Sequence, residues 1–432
     1  MHKDIRSAGR QSRKTAAINA LLLAQMRHAL KAPFYLRRIG LPTLSAAAAA
    51  KVFPNLPTTT KIDLVNHGLD FLAVPAAAIR EWVTTSGTTG SPVHIALAER
   101  DLNRLAENEA AAFALAGIRR GDGVLIGVGM DRLFVAGLAY WLGAQRLGAT
   151  CLRMGPAMAD FQTLHQRPLK PGGRWFLIAV PSLLAAWCSR GLKLPRNLAA
   201  VICIGEPLRD ASLSPNILSQ SLMHCVSAPL LSTYATTETC TTLAQGPQCD
   251  GGHVNPHLGM VEILDAADQP CASGTPGRVV ITPFKQDAMP LLRYDTGDIA
   301  ALYRGVCPCG RQTPRLGPVL GRAAQLLKVQ GVSTFASALA DLARSFAATG
   351  EFLVHATSDA LGADHVTVWI DSPRNKQPAL RREFEHRARA MIKWVPELKF
   401  AAPHKISALR QQCLARKHAY FVDGRTALVP QK

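Results

Sequence analysis

A chain of 432 residues, 48% of them apolar, can bury a large core and exceeds the usual size of one domain. Its formal charge of +19 raises nucleic acid and membrane surfaces as partners, but the Lys and Arg residues are scattered without interleaved aromatics. Phosphate-bearing small molecules suit the charge as well, and nucleic acid is not expected. No run of 18 uninterrupted apolar residues occurs, so no membrane span is expected, and ten cysteines without a signal-peptide pattern point to a reducing, cytoplasmic location.

In chain order, TAAINALLLAQMRHAL (residues 15–30) has helical spacing. The stretches AIREWV and VHIAL read as short strands around TTSGTTGSP, residues 84–92, which packs six hydroxyl side chains and two glycines into nine positions. Gly87 and Gly90 permit positive φ and close backbone approach, so N–H groups and hydroxyls can converge on an anion. No lysine follows Gly90 and no helix starts there, so this is not the common strand-loop-helix phosphate cradle.

A helix is expected from Asp101 to Gly117, followed by an alternation of strands (VLIGV, ATCLR, RWFLIAV, AVICI) and helices, the first being RLFVAGLAYWLGAQRL. Such alternation implies a parallel sheet covered by helices. After residue 258 the period changes to two in MVEIL, RVVIT and IAALY, which predicts a distorted antiparallel subdomain. Beyond Gly321 the strands FLVHAT and HVTVWI and an amphipathic helix near 381–393 predict a small α+β unit. The expected architecture is α/β, with a large unit at 1–321 and a small lid-like unit at 322–432.

Two carboxylates fall at suggestive places. Glu238 in STYATTET follows a strand among hydroxyls, where it reads either as a helix cap or as a Mg²⁺ ligand against phosphate oxygens. Asp298, ending MPLLRYDTGD, reads either as a turn aspartate or as an acceptor for ribose hydroxyls. A second constellation joins CDGGHVNPH and CPC: Cys249, His253, Cys307 and Cys309 are enough for a closed tetrahedral zinc site, with His257 as the alternative imidazole and buried free thiols as the plain reading.

Taken together and in order, TTSGTTGSP, YATTE, RYDTGD and Gly321-Arg322 resemble the adenylate-forming superfamily. The stretches APFYLRR, GEPL, AMPLLRYDTGDIA and CPCGRQTPRLGPVLGR are similar to its phenylacetate-CoA ligase branch. The resemblance runs from about residue 30 to 322 and continues weakly to the end. It implies an ATP- and Mg²⁺-dependent ligase that converts a carboxylic acid, aromatic by analogy, into an acyl-adenylate and passes the acyl group to a thiol of coenzyme A or of a carrier protein. By the same resemblance Thr85, Ser86, Gly87, Thr88, Thr89 and Gly90 hold the β- and γ-phosphates, Glu238 holds Mg²⁺, and Thr237 belongs to the nucleotide site. Tyr234 lies at adenine, Asp298 at the ribose with Arg322 beside it, and Lys417, in ARKHAYFVDGR, is the catalytic cation of the small unit.

Phe134, Ala136, Gly137, Ile204 and Gly205 are candidate acid-pocket walls, although such small residues equally serve close helix packing. Three features depart from the family: Ser91 stands where a lysine is common, Ala324 and Gln325 replace the acidic hinge pair, and GVSTFASALAD lacks the usual Pro and Glu. The adenylating apparatus is thus expected to be largely intact and the domain-rotation apparatus eroded. The alternatives are a non-catalytic nucleotide- or zinc-binding scaffold and a basic nucleic-acid binder.

Overall fold

The structure is a computed structural model that describes residues 2–85, 92–131, 133–162, 173–329, 332–347, 351–358, 364–373, 377–411 and 420–425. Most of the hydroxyl-rich run, residues 86–91, and Lys417 lie outside the described residues. Among the described residues no helix is long and apolar enough to cross a membrane.

The parallel half of the large unit forms as its sequence dictates. Strands Gly123–Ile126 and Trp175–Ala179 are apolar and buried at every position, as strands covered on both faces must be. They pair in parallel with each other, and the order continues to Thr150–Arg153 on one side and through Leu198–Cys203 to Leu230–Thr236 on the other. Helix Glu99–Ala116 begins two residues earlier than the spacing suggested. Asp101 sits inside its first turn and accepts the Ala98 N–H at 2.9 Å, a cap that the apolar periodicity does not reveal. The next helix, Val135–Leu147, begins late, because Leu133 adopts φ 59°. The two helices cross closely at Gly143, where a Cβ would lie 2.3 Å from the Glu109 Cβ.

The antiparallel strands do not form a detached subdomain. Strands Gly259–Leu264, Pro276–Pro283 and Tyr294–Tyr303 join the parallel half through Arg315–Leu316, Gly252–His253 and Thr241–Ala244, giving one twelve-stranded sheet. Two of the connecting strands are only two residues long, too short to show any periodicity. The twelfth strand, Gly321–Arg322, lies off the main strand order and pairs with Asp298–Ile299.

A hairpin of Leu326–Val329 and Val332–Phe335 then leads to a separate four-stranded sheet built on Phe352–Ser358 and Asp364–Ile370. Its outer strands are Glu397–Phe400 and Phe421–Asp423. Helices Ala336–Arg344 and Gln377–Ile392 cover this sheet, and Leu339, Leu342, Val354, Val368 and Phe384 form its own core. The hydroxyl-rich run is flanked as expected by antiparallel strands Ile79–Thr84 and His94–Ala98.

Candidate nucleotide site and metal cluster

The central feature is the turn after strand Leu230–Thr236. Glu238 starts no helix, so it is not a cap; its Oε1 accepts the Tyr294 hydroxyl at 3.0 Å, and its carbonyl accepts the Gln286 side-chain amide at 2.9 Å. Burial pushes the Glu238 carboxyl up from the ordinary carboxylate range, while the Tyr294 hydroxyl and the charges of Arg322 and Lys61 pull it back. Behind the turn, the buried Arg104 guanidinium donates to the carbonyls of Cys240 at 2.7 Å and Leu258 at 2.6 Å and to the Thr241 hydroxyl at 2.8 Å. A carboxylate carried on a short turn is thereby fixed from two directions. Thr237 shares the turn, its carbonyl accepting the Cys240 thiol at 3.2 Å.

Asp298 lies within strand Tyr294–Tyr303 rather than on a turn, and strand pairing sets it opposite Arg322. The Arg322 Nε lies 3.2 Å from one carboxylate oxygen of Asp298, and the Tyr234 hydroxyl donates to the other at 2.9 Å. Burial and the Asp298 charge push the Tyr234 phenol well above its usual range, so it remains a proton donor to that carboxylate. Tyr234, Glu238, Asp298, Tyr294 and Arg322 are thus brought together from three stretches of chain.

Thr85 is buried. Its N–H donates to the Val93 carbonyl and its hydroxyl accepts the Val93 N–H, both at 3.0 Å, which pins the base of the loop whose residues 86–91 are not described. Phe134, Ala136 and Ile204 share one apolar cluster with Val128 and Tyr140. A Cβ on Gly137 would lie 2.5 Å from the Gly129 carbonyl oxygen, so close packing alone requires glycine there. Gly205 adopts φ 75°, which glycine accommodates without strain. A cavity of about 580 Å³ between helices His2–Ala29 and Glu99–Ala116 contains none of the expected site residues.

The metal constellation is assembled from two loops held by the shortest strands. One ligand atom from each of Cys249, His253, Cys307 and Cys309 lies within 4.8 Å of the others, and His253 Nε2 is 3.4 Å from the Cys309 sulfur. A tetrahedral zinc with bonds of about 2.3 Å needs sulfur atoms about 3.8 Å apart, so the donors and their spacing fit that ion. The other ring nitrogen of His253 meets the Thr313 hydroxyl at 2.7 Å, the kind of partner that orients a ligating imidazole. Burial, with help from Arg311 and Arg315, holds His253 below the usual histidine range and keeps it neutral. Burial pushes the Cys249 thiol up to about 12; at Cys309 burial acts upward too, but hydrogen bonds involving Arg311, Cys307 and Cys249 outweigh it and bring the thiol to about 7. His257 is exposed and stands outside the cluster.

Two participants escaped the sequence reading. Tyr294 lies inside the RYDTGD motif without a role of its own there, and Lys61, after the hydroxyl-rich PTTT, carries no local signal of its proximity to Glu238.

No family model matches the chain. It is 29% identical over 298 residues to the phenylacetate-coenzyme A ligase of Thermus thermophilus, covering 65% of this chain and 63% of that protein. Against the corresponding ligase of Aromatoleum evansii it is 25% identical over 360 residues, covering 78% of each. The chain thus spans slightly under two thirds of the Thermus relative. Among solved structures, a 2-hydroxyisobutyryl-CoA ligase in its postadenylation state aligns with a TM-score of 0.78 at 22% identity, covering 94% of this chain and 88% of that one. The same ligase in its thioesterification state aligns with a TM-score of 0.65, covering 96% and 90%. The chain has the fold of adenylate-forming CoA ligases, and its sequence is similar to those of phenylacetate-coenzyme A ligases.

Proposed function

We propose that the chain uses ATP to activate a carboxylic acid, aromatic by analogy with its relatives, and transfers the acyl group to the thiol of coenzyme A or a carrier protein. The observation that carries this reading is the convergence of Glu238, held by Tyr294, with Asp298, held by Tyr234 and Arg322. It gives one carboxylate suited to a cation among phosphates and another suited to ribose hydroxyls.

In the first step a substrate carboxylate oxygen attacks the α-phosphorus of ATP and the bond to pyrophosphate breaks. In the second, a thiolate attacks the acyl carbonyl and AMP leaves. Mg²⁺, held by Glu238, supplies charge neutralisation on the phosphates. Thr85 to Gly90 supply hydroxyl and N–H donors to the β- and γ-phosphates, Thr237 and Tyr234 border the base, and Asp298 orients the ribose while Arg322 holds Asp298. Lys417, from the unit at 322–432, meets the charge growing on the α-phosphate, and Phe134, Ala136, Gly137, Ile204 and Gly205 wall the acid. The Cys249–His253–Cys307–Cys309 cluster holds a structural zinc, since four protein ligands leave no open position.

The test is to incubate the protein with ATP, Mg²⁺, coenzyme A and a panel of aryl and alkyl acids, and to identify acyl-AMP and acyl-thioester by mass. Formation of acyl-AMP with at least one acid is expected. ATP binding without turnover of any acid would instead favour the non-catalytic scaffold.

A further inference from the structure

Lys61 is carried by a segment anchored from both sides. On one side Thr59, fully buried, donates its N–H to the Arg293 carbonyl at 2.9 Å and accepts the Asp295 N–H on its own carbonyl at 2.8 Å; its hydroxyl donates to the Leu292 carbonyl at 2.8 Å. These partners flank Tyr294, the residue whose hydroxyl holds Glu238. On the other side Thr60 and Asp63 cap helix Lys61–His67 reciprocally, at 2.7 and 3.2 Å, and Leu64 roots the helix in the core. The half-buried Lys61 lies in the field of both Glu238 and Arg322.

The charge balance gives this placement a purpose. Glu238 and Asp298 contribute two negative charges, and Arg322 is engaged by Asp298. An incoming ATP adds about four more negative charges, and Mg²⁺ offsets only two. A lysine on a capped helix of the large unit delivers a cation at a fixed place, with little chain entropy left to lose on binding. It would stay in place whatever the pose of the small unit that carries Lys417.

We propose that Lys61 is a phosphate-binding residue of the nucleotide site, contacting the ATP polyphosphate beside Glu238. This rests on the ATP-dependent reading above. Lys61 acts on binding of the polyphosphate before any acid is engaged, and its charge rather than its shape matters.

The test is titration of MgATP and, separately, of adenosine into the full chain and its variants Lys61→Met, Lys61→Arg and Lys51→Met, the last removing an exposed lysine from another helix. The expected result is MgATP affinity reduced 10-fold or more in Lys61→Met, largely retained in Lys61→Arg and Lys51→Met, with adenosine affinity equal in all four. Unchanged MgATP affinity in Lys61→Met would overturn the proposal and leave the ATP-dependent reading standing. Equal weakening of adenosine and MgATP in Lys61→Met would also overturn it, because the lysine would then be structural. If the natural chain binds no MgATP at all, the nucleotide reading itself falls, and the role of Lys61 with it.

Discussion

At the scale of single residues the site is a set of carboxylates whose positions cost burial. Glu238 is raised by that burial and returned toward ionisation by Tyr294, Arg322 and Lys61, an arrangement that favours a cation and phosphates arriving beside it. Glu238→Ala is therefore expected to lower acyl-adenylate formation by about 10²-fold or more while leaving the fold intact, measured as single-turnover acyl-AMP yield beside a thermal melt. A different buried carboxylate gives a pH prediction. Glu109, bonded to the Thr242 hydroxyl, is pushed by burial up to about 7 from 4.5, so it folds protonated. Its contribution is complete below about pH 4.5 and is lost as pH rises toward 7, because ionisation then favours the unfolded chain. Glu109→Gln should show a smaller fall in Tm between pH 5 and pH 8 than the natural chain, and an equal fall would place the pH sensitivity elsewhere. Asp298 and Glu238 were legible in the sequence because each sits in a dense local motif. Lys61 and Tyr294 were not, since what defines them is a partner 177 or 56 positions away.

At the scale of elements, the site depends on two joints that periodicity does not announce. One is the crossing at Gly143, where helix Val135–Leu147 rests on Glu109 and the Ala110 backbone. Gly143→Ala should cost about 1–3 kcal/mol, read by denaturant unfolding, because the added Cβ meets packed atoms that cannot turn away. The other joint is the pair of two-residue strands carrying the Cys/His loops, which tie the parallel half of the sheet to the antiparallel half. Strands this short survive when something clamps their loops, which is the part assigned to zinc. About one zinc per chain is expected by metal analysis of protein purified without chelators, and Cys307→Ser should lower Tm more than it lowers activity per folded molecule. The long strands and helices were readable because each buries a regular face. The continuity of the sheet was not readable, because it passes through segments with too few residues to have a pattern.

At the scale of the whole molecule, the proposed reaction would ask the small unit to serve two half-reactions, and the segment Ala323–Gln325 between the units carries no acidic side chain. Ala324 and Gln325 form a single 3₁₀ turn, and Arg425, anchored on Asp364 and Asp423, donates to the carbonyls of Ala324 at 2.8 Å and Leu326 at 2.9 Å. A hinge held through its backbone in this pose, with no acidic side chain to pair in another, favours one arrangement. Thioester formation with free coenzyme A should then be slower than adenylation, by about 10-fold for each ~1.4 kcal/mol of bias, and Ala324→Asp should speed decay of preformed acyl-adenylate. Rapid decay in the natural chain, unimproved by the substitution, would show the hinge to be unbiased. The central claim, that this chain makes acyl-adenylates, is tested most directly by acid-dependent exchange of labelled pyrophosphate into ATP. The account predicts exchange with at least one carboxylic acid in the natural chain and about 10²-fold less in Glu238→Ala; no exchange with any acid, or full exchange in Glu238→Ala, would contradict it.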